Sequence, residues 1–242
     1  MRRGRGVLMV VACFAFPAWG AGQDLVVNGG FDGDITGWKI VRGEGVEVWD
    51  PLDSQNNPSS GSLHLTNTGA GPNAVTVSGQ CIELTPSGTY EFGTSIRFPS
   101  GSVGGVGSVV VGWFGNPCCS GSPISAANSP PVFSTTTDTW VESFTPALAA
   151  PPGAVAVGVG AGLLTFGTGA PEAAVAAFTI AEGRWPGSPA CPESARGGGT
   201  RREASRAPAA PGAGASLEAL FDRVRFGLTG TTPVRLESFS VE

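Results

Sequence analysis

The chain has 242 residues, with 38 glycines, 20 prolines, a single lysine (Lys39) and a formal net charge of −5. A net-negative, lysine-poor protein does not attract polyanions, which excludes nucleic acid and anionic lipid as principal partners. The lone histidine, His64, excludes His-rich metal sites and argues against a His-dependent catalytic triad.

The N-terminal residues carry Arg2, Arg3 and Arg5, then an apolar run from Val7 to Phe16, then small residues at Ala18, Gly20, Ala21 and Gly22. That order predicts a secretory signal over residues 1–22, and the run is too short to span a bilayer. The expected location is secreted, periplasmic or at the cell surface, with no transmembrane segment. Loss of the three arginines leaves the mature chain more acidic still.

Beyond the signal, short runs with a period of two recur, as half-buried strands require. Val46 and Val48 alternate with Glu47 and Trp49, and Leu63 and Leu65 with Ser62, His64 and Thr66. Tyr90, Phe92, Ile96 and Phe98 share one phase, with Glu91, Ser95 and Arg97 opposite. Val155, Val157 and Val159 alternate with small residues, and Leu220, Asp222, Val224 and Phe226 with Phe221, Arg223 and Arg225. Turn-forming clusters such as Thr85-Pro86-Ser87-Gly88 and Pro151-Pro152-Gly153 separate the runs. Many short strands without a strong helical period predict an all-β antiparallel β-sandwich of jelly-roll type.

The sandwich is expected over residues 23–166, with a closing strand over 217–230. Between them, residues 167–216 are dominated by Ala, Gly, Pro, Ser and Arg. That composition buries too little apolar surface to offset the entropy of ordering, so a disordered low-complexity insertion is expected there, or a reading-frame artefact. No function is assigned to it. Residues 231–242 read as an extended tail.

Cys13 leaves with the signal, and Cys81, Cys118, Cys119 and Cys191 remain. Four cysteines in an oxidising compartment allow three pairings. Cys81 with Cys119 is favoured, because Cys81 ends a strand and Cys119 opens a Gly/Ser/Pro loop. The complementary Cys118–Cys191 pair is disfavoured, since Cys191 lies where no folding signal exists. A strained Cys118–Cys119 bridge is the alternative.

The opening Asn28-Gly29-Gly30-Phe31-Asp32 with Gly37-Trp38, the segments Gly61 to Gly69 and Gln80 to Phe98, Trp140, and the closing Leu220 to Phe226 occur in an order that resembles carbohydrate-binding modules of the CenC type (family 4/9/22-like). The resemblance implies a galactose-binding-like jelly roll, a structural calcium ion and, in many members, glycan binding. It implies core positions for Trp38 and Trp140. It places calcium ligands at Asp32 and Asp222. Arg223 departs from the pattern, which often has a second acid there. Asp222 alternates with Val224 and Phe226, and a carboxylate on the apolar side needs a cation or donors. The alternative is that Asp222 bonds only loop amides and Asp32 merely sits in a turn.

Sugar recognition needs an aromatic face with amide and carboxylate groups beside it. The ligand-binding candidates are Trp49, Glu47, Trp113 and Asn56. If Val46 and Val48 face inward, Trp49 faces out. No nucleophile elbow, phosphate loop or convergent pair of carboxylates is legible, so the chain is not expected to be an enzyme. The predicted function is a secreted, non-catalytic module that binds polysaccharide and is stabilised by calcium. The competing reading is a structural or adhesive β-sandwich of the cell envelope with a protein partner and no glycan.

Overall fold

A computed structural model describes residues 24–166 (apart from 72, 86, 87 and 103), 185 and 216–229. In chain order the strands are β1 (Lys39–Arg42), β2 (Gly45–Asp50), β3 (Ser62–Asn67), β4 (Val75–Glu83), β5 (Thr89–Arg97), β6 (Gly105–Phe114), β7 (Ser125–Asn128), β8 (Val132–Phe133), β9 (Val141–Ala149), β10 (Ala156–Thr165) and β11 (Leu217–Leu228). No helix occurs among the described residues. One sheet has the order β1-β4-β10-β6-β7, with β8 paired to β6; the other has the order β2-β3-β11-β5-β9. All the strand pairs are antiparallel. The result is the two-layered all-β sandwich that the period-two runs predict. The opening and closing segments meet: Leu25 donates its N–H to the Phe226 carbonyl at 2.8 Å, and Val224 to the Gly29 carbonyl at 2.9 Å.

The main core lies between the sheets. Phe31, Leu63, Leu65, Tyr90, Phe92, Ile96, Phe98, Val157, Val159, Phe221, Val224 and Phe226 are all fully buried there. Tyr90 stacks on Phe226 with ring centroids 4.9 Å apart, and Trp113 meets Phe226 edge-on at 5.8 Å. The β10 sequence Ala-Val-Gly-Val-Gly-Ala-Gly-Leu-Leu-Thr sends Val157, Val159, Ala161 and Leu163 to this core. Its other face is dry as well. Val77, Cys81, Val106, Val110, Phe114, Ala156, Leu164 and Trp185 form a second apolar cluster. A sheet buried on both faces explains why β6 and β10 read as near-continuous apolar or small runs.

Cys81 and Cys119 form a disulfide, Cα–Cα 5.9 Å, that ties β4 to the loop after β6. Cys118 is disulfide-bonded too, its partner lying outside the described residues. The adjacent Cys118–Cys119 bridge is therefore excluded.

Two expectations change. First, Val46 and Val48 face solvent, at 52% and 47% exposure, and not the core. Second, Asp222 does not share the phase of Val224. The positions that join the main core run Ala219, Phe221, then Val224, Phe226, a step of three. The pairing with β5 shifts register between Asp222 and Arg225, and Arg223 has φ 52°. An extra residue in one strand of an antiparallel pair is a β-bulge, which re-aims the side chains around it. Within the stretch expected to be a low-complexity insertion, Trp185 is 5% exposed and packs in the second apolar cluster. The other residues of that stretch up to 215, the signal segment 1–22 and the tail 231–242 lie outside the described residues.

Candidate functional site

Three segments converge at one end of the β2-β3-β11-β5-β9 sheet: the opening loop 28–37, the β2–β3 loop 51–61, and the β11 bulge. Each has a non-glycine residue with positive φ, at Asn28 (51°), Phe31 (52°), Asn56 (58°) and Arg223 (52°). Backbone in this sparsely populated region persists only where surrounding bonds over-determine it. Here they do. The Asn28 side-chain amide donates to Asp34 Oδ1 at 2.9 Å and to the Asp34 carbonyl at 3.1 Å, while its Oδ1 accepts from the Asp32 N–H at 3.2 Å. Trp38 donates its Nε1–H to the Asn28 carbonyl at 3.2 Å, and its ring lies 5.3 Å from that of Phe31.

The β2–β3 loop is built on Asp53. Its Oδ1 accepts from the Gln55 and Asn57 N–H groups at 2.7 and 2.8 Å. This arrangement carries Ser54 over the bulge. Asp222 Oδ2 accepts from the Ser54 N–H at 3.0 Å and the Ser54 hydroxyl at 2.5 Å. Asp222 is fully buried, yet its Oδ1 has no partner. Burial pushes the Asp222 carboxyl above its ordinary range, and the nearby Asp53 charge adds to this against the Ser54 bonds. The Gln55 amide, oriented so that its oxygen faces the guanidinium, accepts from Arg223 Nη1 at 2.7 Å and Nε at 3.1 Å. Arg223 is thereby held by the loop.

An orphaned, buried carboxylate oxygen beside a second buried acid suits a hard cation, which takes oxygen ligands from carboxylates, carbonyls and water. The residues that fit are Asp222 and Asp53. Asp32, expected as the partner of Asp222, stands in the opening loop but is exposed. Among the described residues no group of three or more His, Cys, Asp or Glu side chains is placed around one metal position. Backbone carbonyls and water would therefore have to supply most of the coordination.

Trp49 sits on the rim of this junction. Its Nε1–H donates to the Phe31 carbonyl at 2.9 Å. Its ring lies against Gly61, where a Cβ would come within 2.6 Å of Nε1. The indole is thus immobilised with 36% of its surface exposed. Asn56, at the tip of the same loop, is exposed. Glu47 shares the phase of Trp49 but turns toward the other sheet, where it accepts the Ser78 hydroxyl at 2.5 Å. Trp113 is 1% exposed in the core, so it offers no face to a ligand; the doubly apolar β6 run had left its direction open. Trp38 is in the core, whereas Trp140 is only half-buried.

Across the outer face of this sheet, Val48, His64, Leu220 and Arg97 are successive cross-strand partners. His64 Nε2 lies 3.1 Å from Glu218 and Nδ1 3.9 Å from Asp50. Both ring nitrogens face carboxylates. Sequence reasoning missed Asp53, Ser54 and Gln55 as partners of the bulge. The only available signal was the density of Asp, Ser, Gln and Asn from 53 to 57.

No protein-family description matches the chain, and no curated protein matches it. Among solved structures, the carbohydrate-binding module TmCBM61, in complex with β-1,4-galactotriose, superposes with a TM-score of 0.45 at 11% identity, covering 85% of this chain and 99% of that one. The tandem CBM22-1–CBM22-2 domain of Xyn10C from Paenibacillus barcinonensis gives 0.47 at 14% identity, covering 91% and 53%. The enzymatically active domain of tailspike protein 4 from bacteriophage CBA120 gives 0.48 at 13% identity, covering 85% of this chain and 21% of that one. This chain therefore spans about half of the tandem protein and about a fifth of the tailspike domain.

Proposed function

We propose that this is an exported, non-catalytic glycan-binding β-sandwich whose contact surface is the β2 rim, with Trp49 as stacking platform and Asn56 as an adjacent hydrogen-bonding group. The observation that carries it is the state of Trp49. A large ring held rigid by its own N–H, with one side open to water, loses little conformational entropy when a pyranose stacks on it. Asp222, with Asp53 beside it, takes a calcium ion that stabilises the loop under Trp49; Asp32, exposed in the opening loop, is a further candidate ligand. Two cysteine bridges suit an oxidising location outside the cytoplasm. The test is a polysaccharide array with parent and Trp49→Ala proteins, both verified as folded. Binding by the parent and its loss in the variant are expected. A folded parent that binds nothing, or a variant that binds equally well, refutes the assignment.

A second reading has one observation in its favour. Val46 and Val48 form an exposed apolar ridge on the edge strand β2. Edge strands of this kind favour pairing with another chain, as a cell-envelope adhesive unit would. Val46→Lys/Val48→Lys would then abolish partner binding, whereas the glycan reading predicts sugar binding that persists.

A further inference from the structure

The outer face of β4 and β10 has a floor without side chains. Gly160 and Gly79 are cross-strand partners, and Gly158 lies beside them opposite Cys81. The Trp185 indole rests on this floor. A Cβ on Gly158 would come within 2.4–2.8 Å of three indole atoms, and one on Gly79 within 2.5 Å of the indole Cζ3. Val77, Cys81, Val110 and Ala156 belong to the same apolar cluster. Trp185 is 5% exposed, and its Nε1–H has no acceptor among the described residues.

The last fact separates this indole from Trp38 and Trp49, whose N–H groups both find carbonyls. A buried donor without an acceptor forfeits the hydrogen bond that water would give it. Among the described residues, shape and apolar contact hold the ring. We propose that the glycine-floored trough is a binding site for a flat, indole-sized aromatic ring, with Trp185 as its resident intramolecular occupant, displaceable by an aromatic ligand. Sugars do not suit it. The residues named as floor and cluster offer no side-chain donor or acceptor, so a pyranose would surrender the hydration of its hydroxyls with nothing in exchange. The trough is separate from the Trp49 rim, and the proposal does not depend on glycan binding there.

The test uses the full chain and indole as the probe. In Trp185→Ala the tethered competitor is gone. A tethered ring competes at an effective concentration on the order of millimolar, so the variant should bind indole at least about tenfold more tightly than the parent by calorimetric titration. Adding Gly158→Ala to that variant should abolish the binding, since the new methyl rises into the ring position on the face away from the main core. Equal indole affinity in parent and Trp185→Ala, no binding in either, or binding that survives Gly158→Ala overturns the proposal. Should Trp185→Ala not fold, Gly158→Ala alone decides. It should expel the ring, so that Trp185 oxidises at least about tenfold faster in peptide mapping; an unchanged rate overturns the proposal.

Discussion

The replacement Asp222→Asn tests the reading of the loop–bulge junction most directly. Asp222 is fully buried, one oxygen is satisfied by Ser54, and the other has no partner. Its carboxyl is raised from the ordinary 3.8, chiefly by burial. Between 3.8 and that raised value the native state holds a proton that the unfolded state has lost. The native state thus binds more protons, and stability must fall as pH rises through that window. Without a cation, the charged form at pH 7 bears the cost of an unpaired buried group, about 1–3 kcal/mol. Asparagine keeps the shape and an acceptor for Ser54 while removing the charge; its Nδ2, in the place of Oδ1, is an unpaired but neutral group, cheaper to bury than a charged one. With chelator present at pH 7, Asp222→Asn should therefore be more stable than the parent by up to about that amount, and its stability should lose Asp222's share of the fall above pH 3.8, while the share of Asp24, likewise raised by burial, remains. Calcium that binds only the native state adds about 2.7 kcal/mol at one hundred times its dissociation constant, and only the parent should show this gain. Urea unfolding at several pH values, with calcium or chelator, provides the assay. A variant less stable than the parent in chelator at neutral pH, or one that keeps the parent's calcium response, refutes the reasoning.

Removing the β4 bridge by Cys81→Ser/Cys119→Ser opens a loop of sequence separation 38, which loop-closure entropy values at about 4 kcal/mol; chemical denaturation should read that loss. The two tryptophans should separate cleanly by the same measurement. Trp113→Ala empties a core position and should cost about 3–5 kcal/mol, whereas Trp49→Ala, at a ring already 36% exposed, should cost less. Equal losses would place Trp49 in the core and remove it from the surface. Acid should act on other groups: Asp34 and Asp138 are held below the ordinary range, by the Thr36 N–H and the Ser100 hydroxyl respectively, so their contributions are lost as pH falls below 3.8, on the opposite side of that value from Asp222. Asp34→Asn/Asp138→Asn should flatten only that lower limb of the stability profile.

The fold was legible where side-chain alternation is long and aromatic. Tyr90, Phe92, Ile96 and Phe98 can satisfy only one facing, and all four are buried as that pattern demands. Val46-Glu47-Val48-Trp49 is too short and too evenly balanced to say which side is inside. The edge position of β2 decides it, and pairing order is a non-local property. The β11 phase was misread for a related reason. Strict alternation through Asp222 is the simplest reading, and the bulge depends on Arg223 entering the left-handed region under a loop 168 positions away in sequence. Of the candidate site, Trp49, Asn56, Asp32 and Asp222 do gather around one junction, while Trp113 and Glu47 turn inward. Trp185 left no mark because one aromatic residue in a run of Ala, Gly and Pro has no period. Its seat is visible only when the glycines of two strands are laid side by side.

The first described residues lie beside the last strand: Asp24 bridges to Gly227, and Leu25 bonds Phe226. The cyclic order of the strands is therefore independent of where the polypeptide is cut. Joining residue 229 to residue 24 with a short Gly/Ser peptide, and opening the exposed turn between Pro152 and Gly153, should yield a circular permutant with the same sheets and the same disulfide, because no strand pairing crosses either edit.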